Sequence, residues 1–494
     1  MFQGWNKDFT AQTKHASILD AKADGRVLNQ PANFENLTIW DNFTIQNGKL
    51  KAIAADKLGA GVALMKKGRV INCLVQHNTF DYSGNCMAGG IGQETGDKND
   101  TCAINCVVRY NTATHGGGVR IRGVILNSTI EYNESSNNGG GLYLQAGSAY
   151  NCIITNNVSL SGGGGVDMYG TGSLVNCLVA NNTAGNVGGL SMRSNNRETA
   201  DSGSDIINCT IVNNTQKNTN NPQFCGVRLD VRNNPNRAFV NNVVYGNTIN
   251  GEVQAQELGG YPQGYGKFLN NAVAGTTANV TYIQLDAENA PQFNENYSFA
   301  WTSPLYNAGS NDALAYFVGD KDVYGNARKQ GENIDLGAVE HTVHTLTVAA
   351  VENGTLALEV LGQTMPLEAK AYEVPAGFTA TILATPAEKY ALESILVNNS
   401  VLAAVEGVYT LPAVQSDVTL GATFVSIPDP EPDPEPDPDP DPDTPTALEN
   451  IMDMSNVVAV YDLLGHQVNA TPANLTSGLY IVVTTQGTHK ISIK

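Results

Sequence analysis

The sequence has few charged residues and no excess of basic ones. Of its 494 residues only 15% are charged, and the formal net charge is −19. Nucleic-acid binding needs a basic face, so this balance excludes a nucleic-acid partner and argues equally against anionic membrane surfaces. No apolar run approaches the roughly 18 residues of a spanning helix, so no transmembrane segment is predicted.

Helical periodicity and a recognisable export signal are also lacking. No segment of useful length places its apolar residues at the spacing of an amphipathic helix. The first residues, Met1-Phe2-Gln3-Gly4-Trp5, contain neither the basic start nor the apolar stretch of a signal peptide, which taken alone indicates a cytoplasmic protein. The length of the chain predicts two to four domains.

What the chain has instead is a repeated tripeptide with Asn at its centre, and a β-branched residue follows two places after its third position. The interval between copies is 22 to 33 residues. The eight copies are Ile71-Asn72-Cys73, Ile104-Asn105-Cys106, Leu126-Asn127-Ser128, Tyr150-Asn151-Cys152, Val175-Asn176-Cys177, Ile207-Asn208-Cys209, Val240-Asn241-Asn242 and Leu269-Asn270-Asn271. A period of this size indicates one structural unit stacked on itself.

Short alternating runs follow a Gly cluster within each repeat, as in Gly141–Gln145, Gly165–Tyr169 and Gly189–Arg193. Alternation with a period of two predicts strands, and Gly and Asn supply the left-handed turns between them. Two or three short strands in each repeat predict a parallel β-helix, in which equivalent residues of successive coils lie about 4.8 Å apart.

The same stacking explains five of the eight cysteines. Cys73, Cys106, Cys152, Cys177 and Cys209 share one register position, and other copies place Ser128, Asn242 and Asn271 there. A column of small side chains predicts buried thiols rather than disulfides. The redox states of Cys86, Cys102 and Cys225 stay open.

Changes in composition divide the chain into four predicted segments. Residues 1–341 hold the repeats and a C-terminal cap, and residues 342–426 alternate strand-like runs with turns as a small all-β module. Residues 427–446 form a Pro-Asp/Glu linker, which favours extended polyproline II and serves as a spacer. Residues 447–494 resume the strand pattern.

The outward residues of the strands after the Gly clusters are predicted to form two columns. The first column contains Arg120, Tyr143, Asp167, Ser191 and Arg228, and the second contains Arg122, Gln145, Tyr169, Arg193 and Asp230. Aromatic rings stack on sugar faces, and fixed polar groups bind hydroxyls or carboxylates, so the columns predict a glycan-binding face. The alternative interpretation is that these residues only solvate an exposed sheet.

Catalysis is the competing hypothesis, because many β-helix enzymes cleave acidic polysaccharides. Inverting hydrolysis needs two carboxylates, and Asp167 has no carboxylate partner in the adjacent column positions. In an elimination, Arg120 or Arg122 could act as the base, but only Asp167 lies near to hold Ca²⁺. Non-catalytic binding is therefore the favoured interpretation, a polysaccharide lyase or glycoside hydrolase is the second, and a purely structural surface protein is the third.

Two further groups of residues allow more than one interpretation. Asp320, Asp322, Arg328, Asp335 and Glu340 could hold Ca²⁺, but their spacing is not that of an EF-hand, and we favour a charge network that locks the cap. No cofactor is therefore predicted. An outward apolar column contains Leu74, Val107, Thr129, Ile153, Leu178, Thr210 and Val243. We expect longer loops to cover it, and the alternative is a protein partner.

Three C-terminal segments closely resemble the sorting domain of type IX secretion substrates in Bacteroidetes. They are Val460-Tyr461-Asp462-Leu463-Leu464-Gly465, Leu475-Thr476-Ser477-Gly478-Leu479-Tyr480-Ile481-Val482 and Lys490-Ile491-Ser492-Ile493-Lys494. The resemblance implies a β-sandwich, export through the type IX machinery, removal of this domain and, often, attachment to surface lipopolysaccharide. It also implies an export signal upstream of Met1.

The repeats resemble right-handed β-helix proteins of bacterial surfaces, including the polymorphic outer-membrane type, on their Gly-Gly and Asn-Asn motifs. Residues Asp320–Glu340 resemble the end of secreted β-helix proteins of the choice-of-anchor class. Residues 346–424 resemble divergent internalin-type repeat modules, which act as spacers or adhesive stalks. The combined prediction is an all-β, secreted or surface-attached, adhesin-like protein: a right-handed parallel β-helix, a small β module, a linker and a sorting domain.

Overall fold

The computed structural model describes residues 17–31, 34, 36–50, 58–80, 84, 86–94, 100–194, 203–218, 225–254, 256–275, 280–428, 457–462, 465–468, 475–485 and 487–493, and every structural statement below refers to these. The chain forms two compact units, residues 1–425 and 426–494. Two short 3₁₀ helices occur in the described residues, Pro262–Gly264 and Asn311–Tyr316. In this part of the chain no helix has the length and hydropathy that crossing a membrane requires.

The first unit begins with four long sheets built from short strands. Sheet 1 contains Ser17–Asp20, Phe43–Gln46, Leu74–Gln76, Val107–Arg109, Thr129–Glu131, Ile153–Thr155, Leu178–Ala180, Thr210–Val212, Val243–Tyr245, Ala272–Ala274 and Ile283–Leu285. Sheet 2 contains Lys49–Leu50, Thr79–Phe80, Thr112–His115, Glu134–Asn138, Val158–Ser159, Thr183–Ala184, Thr215–Gln216, Thr248–Ile249 and Glu252–Val253.

The remaining two sheets have nine strands each. Sheet 3 contains Leu28–Asn29, Val62–Leu64, Ile91–Gln93, Val119–Ile121, Leu142–Gln145, Val166–Tyr169, Leu190–Arg193, Val227–Asp230 and Leu258–Gly260. Sheet 4 contains Thr38–Asp41, Gly68–Ile71, Thr101–Ile104, Val124–Leu126, Ser148–Tyr150, Ser173–Val175, Asp205–Ile207, Asn234–Val240 and Tyr265–Leu269.

Each strand pairs with the equivalent strand of the next coil, which confirms the predicted parallel β-helix. Sheet 1, for example, aligns Val108 with Ile130 and then Ile130 with Ile154. The pairing is parallel throughout, except for the antiparallel pair between Thr248–Ile249 and Glu252–Val253. Most coils contain four strands rather than the predicted two or three, because the chain after each Asn turn also pairs with its neighbour as a short strand of sheet 2.

Buried columns fill the interior of the β-helix. All eight cysteines are free and buried, so Cys86, Cys102 and Cys225 are thiols like the other five. Burial raises the pKa of Cys73 to about 11 and that of Cys106 to about 12. The core is therefore held by packing and hydrogen bonds, without covalent bridges between coils.

A continuous ladder of buried asparagine side chains runs parallel to the cysteine column. Its rungs are Asn78, Asn111, Asn133, Asn157, Asn182, Asn214 and Asn247. At each rung after Asn78, the Oδ1 atom accepts both the backbone N–H and the Nδ2–H of the preceding Asn, as Asn182 does from Asn157. The last rung, Asn247, donates to the carboxylate of buried Glu257. We call this set the internal Asn ladder.

The chain after the last coil, residues 286–341, folds back over the outer face of sheet 1. We call this segment the cap. Phe299, Leu305 and Leu336 pack in one cluster with Leu178 and Val243 of sheet 1. Ala338 also donates its backbone N–H to Thr210 Oγ1 at 2.9 Å. The expected covering of the outward apolar column therefore occurs at Leu178, Thr210 and Val243, which are buried, whereas Leu74 and Val107 are only half-buried.

The strands that follow the cap form two packed sheets, which we call the β module. One sheet contains Val343–Val348, Ala371–Pro375, Tyr390–Val397, Ser400–Leu402 and Val418–Ser426, and the other contains Gly354–Val360, Gln363–Leu367, Ala380–Pro386 and Tyr409–Leu411. Both sheets contribute to one apolar core. The Trp301 ring of the cap lies 5.2 Å from the Phe378 ring of the β module, so the two parts contact each other within the first unit.

The described part of the second unit is one antiparallel sheet of three strands, Val457–Asp462, Gly478–Thr484 and Gly487–Ile493. Val460, Val482 and Ile491 are buried together on one face. Apart from residues 427 and 428, the predicted linker at 427–446 lies outside the described residues. The predicted boundaries between the four segments stay predictions.

Candidate functional site

The strands of sheet 3 begin beside the internal Asn ladder, which explains the Gly clusters before them. A Cβ atom on Gly141 would lie 2.7 Å from Asn157 Nδ2, and one on Gly118 would lie 2.7 Å from Asn133 Nδ2. Only glycine fits this approach without displacing the ladder. The clusters therefore fix where each strand of sheet 3 begins, and so they fix which side chains align across coils.

The two predicted columns are aligned by backbone pairing. Sheet 3 pairs Arg120 with Tyr143, Tyr143 with Asp167, Asp167 with Ser191, and Ser191 with Arg228. It also pairs Gln145 with Tyr169, Tyr169 with Arg193, and Arg193 with Asp230. Arg122 lies one residue beyond the end of its strand, Val119–Ile121. We call the outward surface of sheet 3 from Arg120 to Asp230 the site face.

The two columns of the site face differ in burial. In the first column Arg120, Asp167 and Ser191 are buried, and Tyr143 and Arg228 are half-buried. In the second column Arg122, Gln145, Tyr169 and Arg193 are half-buried, and Asp230 is buried. Only the half-buried residues offer side-chain surface to solvent, and the buried ones pack behind them.

Arg120 is held from two neighbouring coils. Its Nη1 donates to the carbonyl of Gln93 at 2.9 Å and to Glu94 Oε2 at 2.6 Å, and its Nη2 donates to Gln145 Oε1. Burial lowers the pKa of Arg120, and the Glu94 carboxylate opposes that shift. A guanidinium with these partners fixes the side chain of Gln145 and is not itself available to act as a base.

Asp167 and Arg193 form the central ion pair of the site face. Arg193 donates to Asp167 Oδ1 from Nη2 at 2.8 Å and from Nε at 3.3 Å, and the backbone N–H of Gly163 lies 3.3 Å from Oδ2. Burial raises the pKa of Asp167 against the opposing effect of Arg193. Burial alone would lower the pKa of Arg193, but Asp167 raises it overall. The pair thus orients a charged guanidinium at the surface.

His115 joins this group from sheet 2. Its ring stacks on the Tyr143 ring with 5.8 Å between centroids, and its Nδ1 lies 3.2 Å from Asn138 Nδ2. The Asn138 Nδ2 group can only donate, so His115 Nδ1 accepts this hydrogen bond and the proton of the neutral ring lies on Nε2. Burial, and then Arg193 and Arg120, lower the pKa of His115, so the ring is neutral near pH 7. Burial raises the pKa of Tyr143, which keeps its hydroxyl protonated.

Sequence reasoning did not assign His115 or Glu94 to the site. His115 lies directly before the Gly116-Gly117-Gly118 cluster, and Glu94 lies directly after the strand Ile91–Gln93. Both would have been found by inspecting the sequence for charged and aromatic residues just before the Gly clusters and just after the strands of sheet 3. At the other end of the site face, Arg228 Nη2 lies 3.2 Å from Asp230 Oδ2, so Arg228 is oriented by its own strand.

The acidic residues of the cap form a charge network with backbone donors. Asp322 Oδ1 accepts the backbone N–H groups of Tyr324 and Asn326, and its Oδ2 accepts that of Glu340. Asp335 accepts the N–H groups of Asn307 and His341. Within the described residues, no group of three His, Cys, Asp or Glu side chains is arranged to hold a metal ion.

The site face thus presents two tyrosine rings and oriented arginines to solvent, beside a neutral histidine. The site face together with neighbouring Glu94 has a formal excess of one positive charge, from Arg120, Arg122, Arg193 and Arg228 against Glu94, Asp167 and Asp230. The arrangement can bind a planar or anionic group from solvent. No protein-family model matches the chain, and no curated protein matches it.

Proposed function

We propose that the protein binds an acidic polysaccharide along the site face without cleaving it. The observation that carries the proposal is the half-buried Arg193 guanidinium, which buried Asp167 fixes in one orientation. A guanidinium held in this way presents its remaining N–H donors in a geometry that suits a carboxylate or a sulfate. Tyr143 and Tyr169 on the neighbouring coils add half-buried ring surface for the sugar.

The local charge supports an anionic ligand. The whole chain carries a formal net charge of −19, yet the site face has a small positive excess. Asp167 and Asp230 offset much of the charge of Arg193 and Arg228, so these two arginines would attract an anion mainly through their remaining N–H donors. The proposed ligand is therefore a glycan that contains uronic acids or sulfate groups.

The test of this proposal is calorimetric titration with polygalacturonate and heparan sulfate, with dextran as the neutral control. We expect Tyr169→Ala and Tyr143→Ala each to weaken binding by about tenfold, because each removes a contact surface at the centre of the site. Tyr132→Ala is the matched control, since Tyr132 is exposed but lies outside the site face. No binding by the wild type, or equal losses in all three variants, would contradict the proposal.

A double substitution separates ligand contact from stability. Arg193→Gln alone leaves Asp167 as an unpaired buried carboxylate, which costs about 3 to 5 kcal/mol of folding free energy. Combining it with Asp167→Asn restores a neutral pair, so we expect stability to recover while binding stays lost. Chemical denaturation and calorimetry of the two variants give both quantities. Recovery of binding in the double variant would show that the Arg193 charge does not contact the ligand.

Polysaccharide cleavage by elimination is the second candidate, favoured by the neutral His115 ring beside Tyr143 and between arginines. In such a reaction His115 Nδ1 would give up its hydrogen bond from Asn138 and remove the proton on the carbon next to a uronate carboxylate, which Arg193 would neutralise. The glycosidic oxygen would leave from the adjacent carbon and take a proton from Tyr143. The elimination produces an unsaturated uronate, which absorbs ultraviolet light. An increase in absorbance with the wild type but not with His115→Ala would show that the protein cleaves the polysaccharide rather than only binding it.

We also propose that the protein is exported and displayed on a bacterial surface, where the site face acts as an adhesin-like contact with host or environmental glycans. The proposal rests on the resemblance of residues 447–494 to type IX sorting domains, together with the strand pattern in that region. A reporter protein that carries a Sec signal peptide and is fused to residues 447–494 should reach the surface of a Bacteroidetes host with an intact type IX system. Surface delivery in a strain without that system would contradict it.

A further inference from the structure

The cap leaves part of the outer face of sheet 1 uncovered. Among the described residues, Asn151 is the turn asparagine nearest the N-terminus that donates its side-chain N–H to the cap. A cavity of about 320 Å³ lies at this limit. One wall comes from the coils and includes Asn127 and Thr129, and the other comes from residues 321–325 of the cap. Asn127 is exposed and Thr129 is half-buried, so a ligand can reach both side chains.

Asn208 and Thr210, which lie beneath the cap, show how this surface binds a polypeptide. Asn208 Nδ2 donates to the carbonyls of Asp335 and Gly337, both at 3.1 Å. Thr210 Oγ1 accepts the backbone N–H of Ala338 at 2.9 Å. The pair therefore holds the cap by its backbone, whatever the side chains are. We call Asn208 and Thr210 the first seat.

The first seat requires glycine at its centre. Gly337 has a φ of 85°, and a Cβ atom at this position would clash with Thr210 Oγ1. A side chain is therefore excluded both by the backbone conformation and by the close contact. Leu336 and Ala338, on either side of the glycine, belong to the same apolar cluster as Leu178 of sheet 1. The segment bound there thus has the order apolar residue, glycine, small apolar residue.

Asn127 and Thr129 repeat the first seat at the uncovered end of the face. Strand pairing aligns Thr129 with Thr210 through two intervening coils, and Asn127 and Asn208 both have a φ of 48°. Within the described residues, Asn127 Nδ2 has no acceptor and Thr129 Oγ1 has no hydrogen-bond partner. Thr44 has the same register position in the first coil, but it is buried. We call Asn127 and Thr129 the second seat.

The surface next to the second seat favours a neutral, apolar segment. Val107 and Leu74, on the next coils toward the N-terminus, are half-buried, whereas the equivalent residues beneath the cap are buried. The nearest charges on this face are already paired, since Arg109 Nη1 lies 3.8 Å from Glu131 Oε1. An apolar segment would cover the rest of the strip as the cap covers its other end.

We propose that the second seat binds an extended segment of a partner protein with the order apolar residue, glycine, small apolar residue. Asn127 Nδ2 donates to the carbonyls of this segment, and Thr129 Oγ1 accepts the N–H of the residue after the glycine. The occupant is identified by the first seat, because parallel coils in register present the same donor and acceptor at the same spacing. The proposal does not depend on the function of the site face, which lies on sheet 3.

The experiment titrates the full chain with a capped peptide of residues 333–339, the segment that occupies the first seat, and observes binding by ligand saturation-transfer NMR. So small a contact should give a Kd on the order of 1 mM. Thr129→Val and Asn127→Gly should each weaken binding by about fivefold, because each removes a partner of the peptide backbone. Asn72→Gly, two coils away at a similar φ, is the matched control and should bind like the wild type.

A second peptide, with the change Gly337→Ala, tests the assignment on the unaltered protein. Its Cβ atom should clash with Thr129 as it would with Thr210, so we expect no binding. This comparison holds even if a protein variant does not fold. Tyr143→Ala in the protein should leave binding of the unmodified peptide unchanged, which distinguishes the second seat from the site face.

The absence of saturable binding of the unmodified peptide at millimolar concentration would overturn the proposal. Equal binding of the Gly337→Ala peptide would do so too, as would binding that survives both Thr129→Val and Asn127→Gly in folded variants. Sedimentation gives one further test. Dimers of the wild type that Thr129→Val dissociates would assign the surface to a second copy of this chain, which would overturn the proposed partner.

Discussion

At the scale of single residues, the repeated asparagine is explained by backbone conformation. The central Asn of all eight tripeptides has a positive φ, between 48° and 58°. Asn tolerates this left-handed region better than other non-glycine residues. A second turn carries Asn156, Asn181 and Asn213 at the same conformation, but His77, Tyr110 and Tyr132 replace them in the earlier coils. Their rings stack at 5.2 and 5.4 Å, which offsets part of the strain.

The internal Asn ladder makes a sharp residue-scale prediction. Asn157 accepts two hydrogen bonds from Asn133 and donates to Ile130, Thr155 and Asn182. Asn157→Leu removes these and leaves a buried N–H unpaired, so we expect a loss of about 3 to 5 kcal/mol in the free energy of unfolding by urea. Asn156→Gly is the control, because glycine adopts its φ of 57° readily. Similar losses in both variants would contradict a special role for the ladder.

The buried thiols make a second prediction at this scale. Burial raises the pKa of Cys73, Cys106 and Cys225, which suppresses the reactive thiolate. A disulfide reagent such as DTNB should therefore label none of the eight cysteines in the native protein and all eight after denaturation. Rapid labelling of the native chain would show that the column is open to solvent.

At the scale of elements, the turns on the outer face of the β-helix bind the cap, which runs back along the coils. Asn151, Asn176 and Asn241 donate side-chain N–H groups to the carbonyls of Val318, Lys321 and Ser310. Asn208 donates to Asp335 and Gly337 in the same way. The turn asparagines thus fix the backbone of each coil and also bind the cap. These hydrogen bonds hold a segment without regular strands along the stack of coils.

The cap also predicts how stability depends on pH. Burial raises the pKa of Asp335 to about 6 and that of Glu340 to about 8, from 3.8 and 4.5. A carboxyl group that binds its proton more tightly in the folded state loses folding free energy as pH rises from its unfolded pKa to its folded pKa. We therefore expect Glu340 to reduce stability progressively from about pH 4.5 to about pH 8.

Glu340→Gln isolates this contribution, because the amide resembles the protonated acid. Thermal unfolding of the variant and the wild type should differ least near the acid end of that range. The variant should gain stability relative to the wild type as pH rises. A difference that does not change with pH, or one that changes in the opposite direction, would contradict the assignment.

At the scale of the whole molecule, the repeat made the β-helix predictable from the sequence. The structure of the parts without a repeat could not be predicted in the same way. The columns through Tyr143, Asp167 and Ser191 follow from Gly spacing alone, because parallel coils keep register. Burial of Asp167 and Arg120 could not be predicted, since it depends on partners in other coils. Nor could the course of the cap, whose contacts such as that between Asn176 and Lys321 join residues 145 positions apart.

Register also predicts the effect of removing one complete coil. Deleting residues 158–182 would join Asn157 to Thr183 and leave Asn157 below Asn214, so the internal Asn ladder would stay continuous. We expect a folded β-sheet protein by circular dichroism that no longer binds acidic polysaccharide, because Asp167 and Tyr169 are lost. Deleting only residues 158–169 breaks the register and should prevent folding. Equal stability of the two deletions would contradict stacking in register.

Glu257 has a consequence for how such a chain can change length in evolution. Each asparagine of the internal Asn ladder donates its N–H groups to the next residue toward the C-terminus. The Glu257 carboxylate accepts the last of these hydrogen bonds and has no side-chain N–H of its own to donate. Gene duplication could therefore add whole coils anywhere before this residue, because every new amide would find an identical neighbour. Growth beyond it would need a different acceptor, and we expect natural variation in coil number to lie on the N-terminal side.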